Sequence, residues 1–244
     1  MIKSALQLPP VEHFYLNDNT PHCFSISAQD INGRFDAGYH HSAVKAILQH
    51  SEKYAVQMST LHDNSLVRDI ILPCRFKRHY VSAKHGVPFI GGKEILELNP
   101  GNDKYLSLKQ HRDLIANSLT LDKDMLLVTR SGTIGKVALV PEHWQGRAAS
   151  EHLLRVIPSG RHRAGYLYAW LSSEWALPLI RRHTYGAVIF EIDQHHLADV
   201  EVPLLEEPLM SEINHLVLEA NRLRYLAFQN EQLASAIFKR EIVA

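Results

Sequence analysis

The sequence predicts a mixed α/β (α+β) fold: a β-rich globule over residues 1–205, followed by a long C-terminal helix of coiled-coil type over 206–244. Three observations predict it. Between about 66 and 158, short apolar runs alternate with Pro88, Gly91-Gly92, Pro100-Gly101 and Pro141, the punctuation of strands and turns. Helical spacing of apolar residues is confined to a few segments of the globule. Past Pro208 the punctuation stops, and apolar residues recur at steps of three and four without a break.

Residues 1–30 read as irregular, with Pro9-Pro10 and the stretch Asn17 to Pro21, and INGRFDAGYH (31–40) reads as an ordered connector. HHSAVKAILQHSEKYAVQMSTL (40–61) reads as a helix, because Val44, Ile47 and Leu48 share one face. VPFIGG (87–92), the two runs within 126–140 and EHLLRVIP (151–158) are the clearest strands. AGYLYAWLSS (164–173) reads as a helix whose continuation to Ile180 carries Pro178. AVIFEID (187–193) reads as a strand, and VEVPLL (200–205) as the exit from the globule. The last helix, roughly 208–242, bears a seam of Ile213, Leu216, Ala220, Leu223, Ala227, Asn230, Ala234 and Ile237. Such a helix is roughly 50 Å long, more than a globule needs. Three small alanines allow close approach of a partner helix, and a polar Asn230 suits register fixing. The seam therefore predicts pairing with another chain; packing on its own globule is the alternative.

LLVTRSGTIGKVALV (126–140) contains Gly132, Gly135 and Lys136 between two apolar runs. A phosphate-binding loop needs four residues between its glycines, then Gly-Lys and a Ser or Thr, and it runs into a helix. Here two residues separate the glycines, Val137 follows the lysine, and both flanks suit strands. The pattern is a glycine-bearing turn between core strands.

The 244 residues are 45% hydrophobic and 21% charged, which suits one large domain or one domain plus an appendage. Cys23 and Cys74 match no metal spacing and no disulfide framework. With no signal peptide and no apolar run approaching about 18 residues, a cytoplasmic location off the membrane is expected. Sixteen histidines include the pairs His40-His41 and His195-His196, but no HExxH or Cys/His cluster. They read as polar surface or base-contacting residues, and no metal is expected. Formal net charge is zero, yet it is unevenly spread: Arg68–Lys93 carries +5, Arg155–Arg182 carries +4, and His183–Asn221 carries −8. Basic and acidic faces of this kind can hold a polyanion on one side; solvated faces without a ligand are the alternative.

Four stretches in order resemble the specificity subunits of type I restriction–modification systems. RFDAGYH (34–40) resembles the family's entry segment, and HGVPFIGGKEI (85–95) a characteristic strand. LDKDMLLVTRSGTIGKVALV (121–140) resembles its acid-led strand, Arg-Ser-Gly-Thr-x-Gly turn and second strand. IDQHHLADVEVPLL (192–205) followed by a long helix resembles its exit from the recognition domain. The family's usual member has two recognition domains and two long helices, whereas each motif occurs once here. The chain is thus similar to half-subunits, with a target-recognition domain over 1–205 and a dimerisation and spacer helix over 206–244.

The resemblance implies a non-catalytic reader of double-stranded DNA that recruits an adenine methyltransferase subunit and a restriction subunit. S-adenosylmethionine, ATP and Mg would belong to those partners, with no cofactor in this chain. Agreeing with this, no helicase P-loop is present, and NPGNDKY (99–105) lacks the second proline of an adenine methyltransferase motif. A homodimer through the C-terminal helix implies a palindromic, interrupted site. Phosphate candidates are Arg75, Lys77, Arg78, Lys84, Lys93 and Lys136; base-edge candidates are Arg181, Arg182, His183, Tyr185, Ser131 and Thr133. Arg130 either touches DNA or pairs with a carboxylate such as Glu151. Arg181-Arg182 could instead end a helix, and Tyr185 could be a packing aromatic. Two rival readings are a piece of a fused restriction–methylation enzyme and a coiled-coil scaffold without a DNA role. The first predicts a carboxylate–lysine nuclease cluster, and none stands out. The second does not account for the basic stretches.

Overall fold

The computed structural model describes residues 1–8, 24–31, 33–100, 103–186 and 188–242. The prolines at 9 and 10, the 17–21 stretch, Cys23 and part of the 99–105 string lie outside them. The centre of the fold is a four-stranded antiparallel sheet in the order β2 (Val67–Ile71), β9 (Leu153–Pro158), β6 (Leu126–Thr129), β7 (Val137–Leu139). Its inner strands are apolar on both faces except for Arg155 and the terminal Thr129, because both faces are covered. Leu126, Val128, Val137, Leu139, Leu154 and Val156 enter the main core. Leu127, Ala138, Val140 and Leu153 enter a second core with Ile90, Ile95 and Trp144.

Helices cover the first face. α2 (Ser42–Tyr54) and α4 (Arg161–Leu171) contribute Val44, Ile47, Tyr166, Leu167 and Trp170, and α5 (Ala176–Arg181) adds Leu179 and Ile180. The second face meets another sheet, β3 (Tyr80–Val81), β5 (Tyr105–Ser107), β4 (Gly86–Ile90) and β8 (Ala148–Ala149), in which β4 and β8 are parallel. A ribbon of β1 (Gln57–Thr60) against β10 (Glu201–Leu204) brings the chain's exit beside α2.

The mixed fold and the long helix are as the sequence predicts, although helical residues outnumber strand residues. Four local expectations change. The N-terminus holds a short helix, α1 (Ile2–Leu6), with Ile2, Leu6 and Leu8 buried in the main core. The 40–61 helix stops at Tyr54, and its last residues form β1, which pairs with β10 across 140 residues of chain. A helix, α3 (Leu108–Leu114), continues into a π-helical turn, Ile115–Leu119, where no helix was expected. Where a 187–193 strand was expected, the described residues 188–193 form a loop: among them only Glu191 bridges, to Tyr185 and Ser131, and Val188, Ile189 and Phe190 stand exposed. There the apolar run is a surface feature, not a core strand.

After α6 (Gln194–Ala198), whose N-terminus Asp193 caps through the amides of His195 and His196, β10 leads into α7 (Glu207–Ile242). At 36 residues α7 is about 54 Å long. Its first half is not free. Met210 and Ile213 enter the main core, and the Asn214 side chain accepts from the Gly165 amide at 2.8 Å. A Cβ at Gly165 would lie 2.5 Å from the Asn214 carbonyl, so only glycine admits α7 this close to α4. Farther along, the Phe228 ring stacks on His143 at 4.3 Å, and the Arg224 guanidinium lies over Trp144 at 4.6 Å. From Gln229 to Glu241 every residue is exposed.

Candidate nucleic-acid interface

The 126–140 segment is the predicted hairpin: β6 and β7 pair in the register Leu126↔Leu139 and Val128↔Val137. Its turn is wired internally. The Thr129 hydroxyl donates to the Thr133 carbonyl at 2.5 Å and accepts from the Lys136 amide at 2.9 Å. Gly135 has φ +86°, and a Cβ there would meet Leu177 at 2.6 Å, so this glycine serves both turn and packing.

Three other segments come to this turn. The Arg130 amide donates to the His152 carbonyl (3.1 Å), and the Ile192 amide donates to the Arg130 carbonyl (3.0 Å). Ser131 Oγ lies 2.9 Å from His152 Nδ1. The Arg181 Nε reaches the Ile134 carbonyl at 3.4 Å. Two carboxylates tie the segments electrically. Glu191 accepts from Arg130 at 2.9 Å and from Arg75 at 2.6 Å, while Glu151 accepts from Arg78 at 2.8 Å. Burial opposes ionisation of Glu151, but the Arg78 hydrogen bond and charge together with a backbone hydrogen bond outweigh it and hold the carboxyl below its ordinary value. The result is one polar surface built from 75–78, 130–136, 150–152 and 181–192.

A second polar group adjoins it. The Tyr39 ring lies between two guanidiniums, Arg34 at 4.9 Å and Arg182 at 5.0 Å. Arg182 is hydrogen-bonded to Glu201, and the exposed Tyr185 stacks on His196 at 5.1 Å. This group fastens the entry segment, 34–40, to the exit segment, 182–201.

The predicted site residues separate accordingly. Lys77, Lys136 and Thr133 are exposed, and no ion pair engages either lysine among the described residues. Ser131, Arg75, Arg78 and Arg181 sit at the polar surface, with Arg75 and Arg78 in ion pairs. Lys84 and Lys93 are exposed, but no described contact joins them to this surface. Three expectations are corrected. Arg130 is 5% exposed and pairs with Glu191, not Glu151, so its guanidinium is structural. Arg182 is likewise taken up by Glu201. His183 is 5% exposed; burial and the adjacent Arg182 push its pKa down to about 4, so it is a neutral packing histidine and no base-edge contact.

The charge blocks of the sequence are corrected too. They are linked to each other: the acidic stretch pairs with the basic ones at Arg75–Glu191, Arg182–Glu201 and Arg163–Glu207. Sequence reading missed Glu191 and His152, and it matched Glu151 with Arg130 instead of Arg78, since the partners are 21 to 116 residues away. It also missed Arg155, a fully buried guanidinium bonded only to carbonyls, those of Ala149, Ser150, Leu153 and Leu119.

The predicted seam of α7 divides as well. Ile213 is core, whereas Leu216, Leu223 and Ile237 are 52%, 53% and 46% exposed. Ala220, Ala227, Asn230 and Ala234 are exposed beside them. Among the described residues no helix is long and apolar enough to cross a membrane.

No protein-family model matches the chain, and no curated protein matches it. Solved structures do. A chain from a structure of a type I R-M system, studied for complex assembly and conformational transition, superposes with TM-score 0.50 at 16% identity, covering 75% of this chain and 43% of its own. The type IIG restriction endonuclease BpuSI superposes with TM-score 0.51 at 11% identity, covering 75% of this chain and 28% of its own. The HsdS subunit from Thermoanaerobacter tengcongensis gives 0.47 at 16% identity, over 70% of this chain and 39% of its own. The chain therefore spans less than half the length of each of these proteins, and its fold is one found within a type I R-M system and within a type IIG restriction endonuclease.

Proposed function

We propose that this chain is a DNA sequence-specificity subunit of a type I restriction–modification system, in half-subunit form and without catalysis of its own. The observation that carries the reading is the convergence of four segments, distant in sequence, on one polar surface flanked by the exposed lysines Lys77 and Lys136. Phosphates would be met by Lys77 and Lys136, and base edges by hydroxyls and arginine forks held at fixed geometry. The shared fold and the four ordered motif resemblances support it.

In this reading a methyltransferase subunit and a restriction subunit supply S-adenosylmethionine, ATP and Mg chemistry in the cytoplasm. The exposed line Leu216–Ala220–Leu223–Ala227–Asn230–Ala234–Ile237 pairs with the same line of a second copy. A symmetric pair reads a palindromic, interrupted site.

Binding to duplex DNA measured across a salt series tests the reading. Affinity should fall steeply, by about a hundredfold or more between 50 and 200 mM salt if several phosphates are contacted. A chain indifferent to duplex DNA at 50 mM salt would leave only the scaffold alternative.

A further inference from the structure

His152 lies at the centre of the polar surface. Its imidazole is 42% exposed, with Nδ1 2.9 Å from Ser131 Oγ and Nε2 3.6 Å from the Glu151 carboxylate. Its backbone is pinned on both sides: its amide donates to Ser150 Oγ (3.2 Å) and its carbonyl accepts from the Arg130 amide (3.1 Å). Beneath it, Arg155 bonds the carbonyls of Ala149, Ser150 and Leu153 at 2.5 to 2.9 Å. Burying a guanidinium without a carboxylate partner is costly. Burial draws its pKa down to about 9, which leaves it charged at neutral pH. Here that cost holds a surface turn rigid, which a purely connecting turn does not require. Rigid presentation of a polar pair is what recognition requires.

We propose that Ser131 and His152 form one base-reading pair, and that the base it selects is adenine. The proposal rests on the DNA-reading function above. Whichever ring nitrogen carries the proton, the shared Oγ–Nδ1 hydrogen bond correlates the two outward groups. If Ser131 donates to Nδ1, then Nε2–H is a free donor and Ser131 Oγ a free acceptor. If Nδ1–H donates to Ser131, then Nε2 is the free acceptor and the hydroxyl the free donor. Either way the pair offers one donor and one acceptor. In the major groove adenine alone presents both complements on a single base, the N7 acceptor and the N6 amino donor; guanine presents two acceptors. Arg78 and Glu151 leave no uncompensated charge beside the pair. A nucleophile relay uses the same residue types but needs a substrate cavity beside the hydroxyl. Two pockets among the described residues lie elsewhere, one lined by Asp124 and Arg161, the other by His62 and His195.

The test begins with selection from a library of randomised duplexes by the full chain, His152→Ala and Ser131→Ala. Wild type should recover a half-site in which one adenine position loses its preference in both variants. In a fixed duplex of that sequence, 7-deazaadenine at the position should weaken wild-type binding about tenfold, as expected for one well-made base pairing. It should not weaken His152→Ala further. Recovery of the same motif by both variants, or equal sensitivity of wild type and His152→Ala to the deaza base, overturns the pair. A wild type that enriches no sequence overturns the DNA-reading function itself. Because His152 makes its structural bonds through the backbone, His152→Ala should keep the wild-type melting temperature, and His152→Gln provides a second variant of similar size.

Discussion

Glu191 is the residue on which the polar surface most depends. It holds one buried guanidinium, Arg130, and one exposed one, Arg75, whose side chain is 67% exposed. The two partners are not equivalent. Glu191→Gln strands Arg130 in a site where no other carboxylate among the described residues pairs with it, and should destabilise the fold by about 2 kcal/mol or more. Arg75→Ala removes only a solvent-screened pair and should change stability by less than about 0.5 kcal/mol. Urea denaturation of both variants checks this; similar midpoints would mean that Glu191 is an ordinary surface carboxylate. Of these contacts, the sequence indicated that Arg130 had a carboxylate option, but not which one. Glu191 lies 61 residues on, within a run that reads as an apolar strand.

At the scale of the element, α7 does two jobs along one helix. The face with Met210, Ile213, Asn214 and Phe228 belongs to the globule, and the face with Leu216, Leu223 and Ile237 meets solvent. A heptad pattern shows that a stripe seeks burial, but not which of two adjacent stripes the globule already covers. A chain cut after Leu205 should therefore lose cooperative folding, since α4 would be left with an uncovered face. The full-length double variant Leu223→Glu with Ile237→Glu should keep its melting temperature and be monomeric at concentrations where the wild type is a dimer. Solution mass and thermal unfolding of these chains decide it. A wild type that is monomeric throughout would remove self-pairing and leave the exposed stripe to a different chain.

For the molecule as a whole, histidines with lowered pKa values contribute to the loss of stability between neutral pH and about pH 4. His183 has its pKa pushed down to about 4 by burial and by Arg182, and burial also lowers His111 and His143. A base with a folded-state pKa below its unfolded value takes up protons preferentially when unfolded. Stability is therefore fully present above about pH 6.5 and is lost as pH falls toward about 4, with His183 contributing up to about 3 kcal/mol. Glu201, whose pKa is raised by burial against the pull of Arg182, works in the opposite direction. Denaturation at pH 7 and pH 5 should show a clear loss in wild type and a smaller one in His183→Gln. Equal losses would place the acid sensitivity elsewhere.

By itself the sequence determined the elements that local pattern controls. The β6–β7 hairpin followed from apolar runs around a two-glycine turn, and α2 and α7 from three-to-four spacing. Those signals lie within a dozen residues of one another, and both faces of β6 are apolar because both are buried. Only the tertiary structure decided the rest. β1 hides at the end of a helical run because its partner, β10, is far away in the chain. Three arginines of the basic stretches, Arg75, Arg163 and Arg182, pair with acids of the stretch that looked like an opposing face. Ser131 acquired its neighbour His152 through the packing of β8 and β9 against the hairpin. Ion pairs and base-reading geometry depend on distances between segments. Those distances are set by how the sheets stack, and a linear pattern carries no record of them.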